Sequence, residues 1–348
     1  MKKKKLITAA ILSCTAMTSF TALADGPNFY GRADLAITNS SEGIATQNQK
    51  DGTVLENNFS WLGVKGAEKI SDNVEILYQM EFGVSNFDNS GNTFAARNSF
   101  LGIKTVAGTA LVGRNDTVFK AAEGGFDLFG NSNSDIDLLV VGQNREADGI
   151  SYYSPKIADL VTLNATYLMD DNHESTSSSM YALSATVGDK AFKTHNFYAA
   201  AAYQDGISDV EAYRGVVQAK FGDFIVGGLY QNSKSQKAEL AHLEGDSYYV
   251  NLAYLMGNLK LKAAYGYDDS GLGKYASRLV GTDSDKNSNL KNMNEFEISQ
   301  FSVGADYRVS PSTLVYGHYT KYDGDMVLNQ TSQSLNDDIV TVGLRYDF

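Results

Sequence analysis

Four carboxylates, Glu123, Asp127, Asp135 and Asp137, fall within one segment, 116–147, that is too long for a plain hairpin loop. Gly124, Gly125 and Gly130 let that segment bend tightly. Acids gathered in this way suit acid–base catalysis, cation binding, or a fixed electric field across a wet gap. Catalysis needs an oriented base beside a nucleophile or an activated water. The four histidines are His173 and His242 in loops and His195 and His318 on strands, and no serine motif or acid pair is set around any of them. His318 is expected to share an inner face with Tyr316 and Thr320. Asp283, Asp285, Asn287 and Asn289 carry part of a calcium-loop pattern, but its glycine and closing glutamate are missing. These residues, and Asp170, Asp171, His173 and Glu174, read as solvated loop charge. The expectation is therefore no enzyme, no cofactor and no metal site; solvated loop charge and a field across a gap stay open for the four acids.

Such a field needs a wall to face the acids, and the chain is built to make one. In 338–348, Val340, Val342, Leu344, Tyr346 and Phe348 share one face, while Thr341, Gly343, Arg345 and Asp347 share the other. The same alternation sets Phe29, Ala33, Leu35 and Ile37 against Tyr30, Arg32, Asp34 and Thr38. It also sets Leu259, Leu261, Ala263, Tyr265 and Tyr267 against Lys260, Lys262, Ala264 and Gly266. Sixteen such segments are read at 28–39, 57–68, 74–84, 95–105, 108–115, 148–154, 159–169, 177–188, 195–204, 211–221, 223–232, 246–256, 258–268, 295–308, 313–322 and 338–348. Segment 195–204 is the weakest, because Ala199 to Ala202 show no contrast between faces. Short turns (69–73, 106–107, 155–158, 189–194, 222, 257, 309–312) alternate with longer loops (40–56, 85–94, 116–147, 170–176, 205–210, 233–245, 269–294, 323–337). Parity alone also fits a soluble barrel with its charge outside; the turn asymmetry, the size and the secretory N-terminus together point to an all-β, sixteen-stranded antiparallel transmembrane β-barrel. Tyrosines cluster near strand ends, where interfacial girdles belong.

The N-terminus agrees. Lys2 to Lys5, an apolar stretch from Leu6 to Ser13 and Ala22-Leu23-Ala24 form a secretory signal, so 1–24 is expected to be removed and 25–348 to form one barrel domain. The single cysteine, Cys14, lies in that signal, which leaves the exported chain without a disulfide. No segment approaches the length of a membrane-spanning helix. Removing the four lysines from 29 basic residues leaves 25 against 41 acidic ones, a balance of about −16. That argues against a nucleic-acid partner and suits a surface exposed to divalent cations, outer-membrane lipid and lipopolysaccharide.

In order along the chain, several short motifs resemble those of Gram-negative general porins. They are Phe29-Tyr30-Gly31-Arg32, Leu62-Gly63-Val64-Lys65-Gly66, Arg97-Asn98-Ser99-Phe100-Leu101-Gly102-Ile103 and Val112-Gly113-Arg114-Asn115-Asp116-Thr117. Tyr152-Tyr153-Ser154-Pro155 and Ser310-Pro311-Ser312-Thr313-Leu314-Val315-Tyr316, with Tyr319, continue the series, and Phe348 resembles the family's assembly signal. The resemblance implies a passive channel for small hydrophilic solutes and ions in the outer membrane of a Gram-negative bacterium. It also implies a homotrimer, a second external loop (85–94) that reaches over a neighbour, and a third loop, 116–147, folded inward to narrow the pore.

The constriction expected from these readings has Glu123, Asp127, Asp135 and Asp137 on the loop and bases on the wall. Arg32 is placed there by parity, Arg97 and Arg114 mainly by the resemblance. Trp61 stands where the family usually has a wall arginine, and Ser151 near where another base is found; Lys65 shares Trp61's parity, and Arg145 lies near the loop's end. A thinned basic wall implies a bias towards cations. The alternatives are a sugar-preferring porin, which one tryptophan supports poorly, and, further off, a barrel enzyme or an adhesin using loops 269–294 and 323–337.

Overall fold

The computed structural model describes residues 27–85, 87, 92–173, 175, 179–280 and 289–348. The proposed signal 1–24, residues 86 and 88–91 of the second external loop, and Glu174, Asp283, Asp285 and Asn287 lie outside the described residues.

Alternation along each segment produces one antiparallel sheet that closes on itself. Its strands are β1 (Asn28–Ser40), β2 (Gly52–Asn57), β3 (Trp61–Ser71), β4 (Val74–Val84), β5 (Phe94–Thr105), β6 (Gly108–Asp116), β7 (Arg145–Tyr153), β8 (Val161–Leu168) and β9 (Met180–Gly188). There follow β10 (Phe197–Asp205), β11 (Val210–Phe221), β12 (Phe224–Ser235), β13 (Glu244–Met256), β14 (Leu259–Asp268), β15 (Met293–Ser310), β16 (Thr313–Leu328) and β17 (Thr331–Asp347). β2 and β3 are two pieces of one stave, since both pair with β1 in succession. The barrel therefore has the sixteen staves expected.

The break in the second stave corrects the reading of 57–68 as one strand. Phe59 sits at φ +60, which a non-glycine residue adopts only where its surroundings compel it. Here the Asn57 side chain holds it: Oδ1 accepts from the Ser60 N–H at 2.9 Å and Nδ2 donates to the Val84 carbonyl at 2.6 Å.

Closure joins the two ends of the chain. β1 pairs with β17 from Arg32↔Asp347 to Ser40↔Ile339, and Gly31 and Phe348 exchange backbone hydrogen bonds at 3.0 and 3.1 Å. The Phe348 ring lies over Gly31, where a Cβ would meet Cζ at 2.3 Å. The aromatic C-terminus thus fills a notch in the first strand and seals the seam.

Burial follows parity. Val342 is 58% exposed and its neighbour Thr341 is 2% exposed, so the apolar face points away from the barrel and the polar face inward. A band of such residues circles the wall, from Phe29 (76% exposed) through Leu101, Val217 and Val250 to Leu344. Towards the end opposite the termini, Tyr203 pairs with Tyr213 and Tyr230 with Tyr248 on adjacent strands, with ring centroids 4.6 and 5.3 Å apart. These tyrosines form part of an interfacial girdle. No helix among the described residues is long and apolar enough to cross a membrane; the strands do so instead.

Loop 323–337 is corrected outright. β16 and β17 run on through it in register to Leu328↔Thr331. Asn329 and Gln330 form the two-residue turn, both at positive φ (51° and 64°), which matches the twist of a tight hairpin. Met326-Val327-Leu328 is apolar without a break and 329–334 polar without a break, so neither stretch shows the contrast between faces that the pattern rests on.

Candidate functional site

Segment 116–147 folds into the barrel. Thr117 caps α1 (Val118–Ala121), and Asp135 caps the single 3₁₀ turn Ile136–Leu138. The loop's apolar residues, including Val118, Phe119, Phe126, Leu138, Leu139 and Val140, pack against inward side chains of β8 to β13, among them Leu168, Met180, Tyr198, Val216, Leu229 and Tyr249. This explains Ala199 to Ala202. Ala200 and Ala202 face the buried loop while Ala201 faces outward, so β10 is apolar on both sides.

Polar wall residues then hold the loop's carbonyls in place. Tyr198 Oη donates to Ala122 at 2.9 Å, Asn251 Nδ2 to Phe126 at 2.6 Å, and Lys262 Nζ to Leu128 at 2.8 Å. Tyr322 Oη donates to Asn133 and Gln300 Nε2 to Ser134, both at 2.8 Å. Arg214 reaches both ends of the loop. It donates to the Phe119 and Val141 carbonyls at 3.3 and 3.0 Å, with its guanidinium 4.3 Å from the Phe119 ring centroid. A buried carbonyl without a donor costs about 1–3 kcal/mol, so these contacts fix the path of the loop. The external segment 269–280 adds a second layer. Tyr275 of α2 (Lys274–Leu279) stacks on Tyr322 at 4.9 Å, and Lys274 pairs with Asp137.

With one side of the lumen filled, the open path runs between the loop and the β1–β6 wall. Two cavities, of about 210 and 570 Å³, share the lining residues Arg32, Arg97, Lys120, Glu123, Gly124, Asn131 and Arg145. That shared ring is the neck. Arg32 bonds Asp347 at 2.7 Å, Arg97 bonds Glu81 at 2.5 Å, and Asp116 lies 3.2 Å from Lys120 and 3.0 Å from Arg145. Arg145 also donates to Asn98 at 2.5 Å.

The candidate residues fall as follows. Arg32, Arg97 and Glu123 line the neck; Trp61 and Lys65 line the larger cavity; Asp127, Asp135 and Asp137 line the smaller one. Arg114 lines neither. A register shift between Gly113 and Asn115, with Gly113 at φ +128, breaks the alternation, so the adjacent Asn115 and Asp116 both line the lumen. The Arg114 guanidinium instead donates to the Arg145 carbonyl at 3.1 Å. Asp127 and Asp135 also hold the loop's own turns: Asp127 accepts from the Phe129 N–H at 2.8 Å, and Asp135 from those of Asn131 and Asp137 at 2.6 and 2.9 Å.

The wall carries no base at Trp61 or Ser151. Ser151 is buried against Thr166 at 2.9 Å, but Lys120 and Arg145, from the loop itself, stand in the neck. Lys262, Lys274 and Arg345 add bases to the smaller cavity. Lys120 was legible in principle, four residues after Asp116 and so one helical turn away. His318 is inward, as expected from parity. Its Nε2 lies 3.0 Å from Asp306, which also bonds Lys262 at 2.9 Å, and its ring sits against Tyr316 and Phe129. These groups clamp the loop at Leu128–Phe129.

Burial dominates the ionisation of the loop acids. It raises the Glu123 carboxyl to about 7 against the attraction of Lys120 and Arg214, and one Glu123 oxygen has no hydrogen-bond partner. Burial and the neighbouring Asp137 raise Asp135 to about 6. Burial, with Asp135 and Glu123 close by, holds Asp127 well above the usual carboxylate range. Among the described residues no group of three or more His, Cys, Asp or Glu side chains is arranged to hold a metal ion.

Known proteins share this architecture. The model of the Gram-negative porin family matches residues 8–326. The monosaccharide porin of a Halomonas species is 24% identical over 355 residues, covering 92% of this chain and 95% of that protein. Major outer membrane protein P.IB of Neisseria sicca is 27% identical over 181 residues, 49% of this chain and 48% of that protein, so this second match spans about half its length. Among solved structures, the anion-selective porin from Comamonas acidovorans superposes with a TM-score of 0.68 at 17% identity, covering 93% of this chain and 99% of that one. OmpT of Vibrio cholerae, in its trimer form, gives 0.67 at 15% identity over 93% and 99%. A closed barrel with an inward loop and a charged neck, matched by the family model over most of its length, places this chain in the Gram-negative porin family.

Proposed function

We propose that small hydrophilic solutes and ions diffuse passively across the outer membrane through the gap between Lys120–Gly124 and the β1–β6 wall. The observation that carries this reading is the sidedness of the loop: its grease is spent on β8–β13, while Glu123, Lys120 and Arg145 share the neck with Arg32 and Arg97 of the wall. Charges fixed at short range order water and admit polar solutes in preference to apolar ones. No chemical step is proposed, and the neck residues act as a filter. The cation bias expected from the sequence rested on a thin basic wall; in the neck Arg32, Arg97, Lys120 and Arg145 are paired with Asp347, Glu81 and Asp116, and with Glu123 the four bases meet four acids. We take the selectivity to be weak, leaning to anions when Glu123 is protonated.

The remaining elements of the reading are cleavage after residue 24, assembly as a homotrimer, and lipopolysaccharide around an acidic external surface. Planar-bilayer recording of the purified protein tests the channel. Large stepwise conductance in groups of three supports it, together with a small reversal potential in a salt gradient. Absence of conductance overturns it.

A further inference from the structure

The larger cavity contains a feature that a plain filter does not need. Inward positions on β3 are Trp61, Gly63 and Lys65, and those on β1 are Tyr30 and Arg32. Gly63 lies opposite Tyr30, and a Cβ there would meet the Tyr30 ring at 2.9 Å. The missing side chain lets the Tyr30 ring lie down between Trp61 and Lys65. Lys65 Nζ sits 4.5 Å from the Tyr30 ring centroid, Tyr30 and Trp61 meet edge to face at 5.1 Å, and the Arg32 guanidinium is 5.5 Å from the Trp61 ring. The result is a stripe of cation, ring, ring, cation across the wall. The stripe is braced from behind: Tyr30 Oη donates to Glu81 at 3.1 Å and Arg32 bonds Asp347.

Charge in this cavity is one-sided. Eight bases and four acids line it. Three of those acids are engaged: Glu81 with Tyr30 and Arg97, Asp116 with Lys120 and Arg145, and Asp189 with N–H groups of its own turn; Arg32 and Lys104 are paired in turn with Asp347 and Glu75, so the excess of bases is smaller than the count. Its volume of about 570 Å³ falls in the range of small-molecule sites, about 300–1,000 Å³. Aromatic faces favour a flat or ring-shaped body, and flanking cations favour a carboxylate on it.

We infer that Tyr30, Trp61, Arg32 and Lys65 form a solute subsite for ring-shaped carboxylates such as uronic acids, which raises their occupancy in the lumen above that of neutral rings or acyclic acids. This rests on the channel reading above. The test is block of ion current in planar bilayers by three probes: glucuronate, with ring and charge; glucose, with ring only; lactate, with charge only. Glucuronate is expected to reach half-block at a concentration about tenfold below the other two, the scale of one charge-assisted hydrogen bond from its carboxylate. Trp61→Ala should raise that concentration about tenfold, Trp61→Phe should keep most of the block, and Lys65→Gln should weaken block by glucuronate and not by glucose. Equal block by all three probes overturns the subsite, as does a Trp61→Ala channel blocked as well as the parent. A channel that conducts without discriminating overturns the subsite alone, whereas a protein that does not conduct overturns the channel reading itself.

Discussion

Glu123 is the one carboxyl in the neck, and burial raises its pKa to about 7. An acid with a raised pKa is neutral below that value and charged above it. Between pH 6 and pH 8 its ionised fraction therefore rises from about one tenth to about nine tenths. A full charge about 6 Å from a passing ion in a water-like medium is worth about 0.7 kcal/mol, which salt at 0.1 M cuts to about 0.4. Cations gain that amount and anions lose it, so the cation-to-anion permeability ratio is expected to rise about threefold from pH 6 to pH 8. Asp135, raised to about 6 by burial and by Asp137, acts in the same direction. The assay is the reversal potential in a salt gradient, in neutral lipid, stepped through this range. Glu123→Gln should remove the part of the step centred near 7 and leave a more anion-selective channel at pH 8. A parent channel with no step, a step of opposite sign, or a Glu123→Gln channel with the full parental step would each refute the reasoning.

Two further outcomes follow from the packing. Lys262→Met removes the donor to the Leu128 carbonyl and one of the two partners of Asp306. Breaking a buried pair in this way costs about 3–5 kcal/mol, and other donors still hold the loop, so a lower thermal midpoint and noisier single-channel current are expected; unchanged traces would show that the clamp is passive. Gly31→Val would drive a Cβ into the Phe348 ring at 2.3 Å and the Trp61 carbonyl at 2.9 Å, an overpacking cost of about 1–3 kcal/mol at the closing seam. The folded fraction, read as the heat-modifiable band on a gel, should fall, and a variant that folds as well as the parent would separate Phe348 from closure.

The sequence by itself determined the barrel, because a strand's two faces are set by a local two-residue period. Val340 to Phe348 showed that period, and the wall reproduced it, residue by residue, in what is exposed and what is buried. The same locality placed Arg32 on the inner face. Parity failed where the backbone departed from the period: at the Gly113 bulge, beyond which the adjacent Asn115 and Asp116 both line the lumen, and at Phe59, which split a stave; Arg114, placed in the lumen mainly by the resemblance, lines neither cavity. It was silent where both faces have one character, as in Ala199 to Ala202 and in the polar hairpin through Asn329–Gln330. Only the tertiary structure decided which half of the lumen the loop fills. That outcome depends on contacts between residues far apart in the chain, such as Lys262 with Leu128 and Arg214 with Val141. It also decided the charge of the neck, since Lys120 and Arg145 reach it only once the loop has folded against the opposite wall.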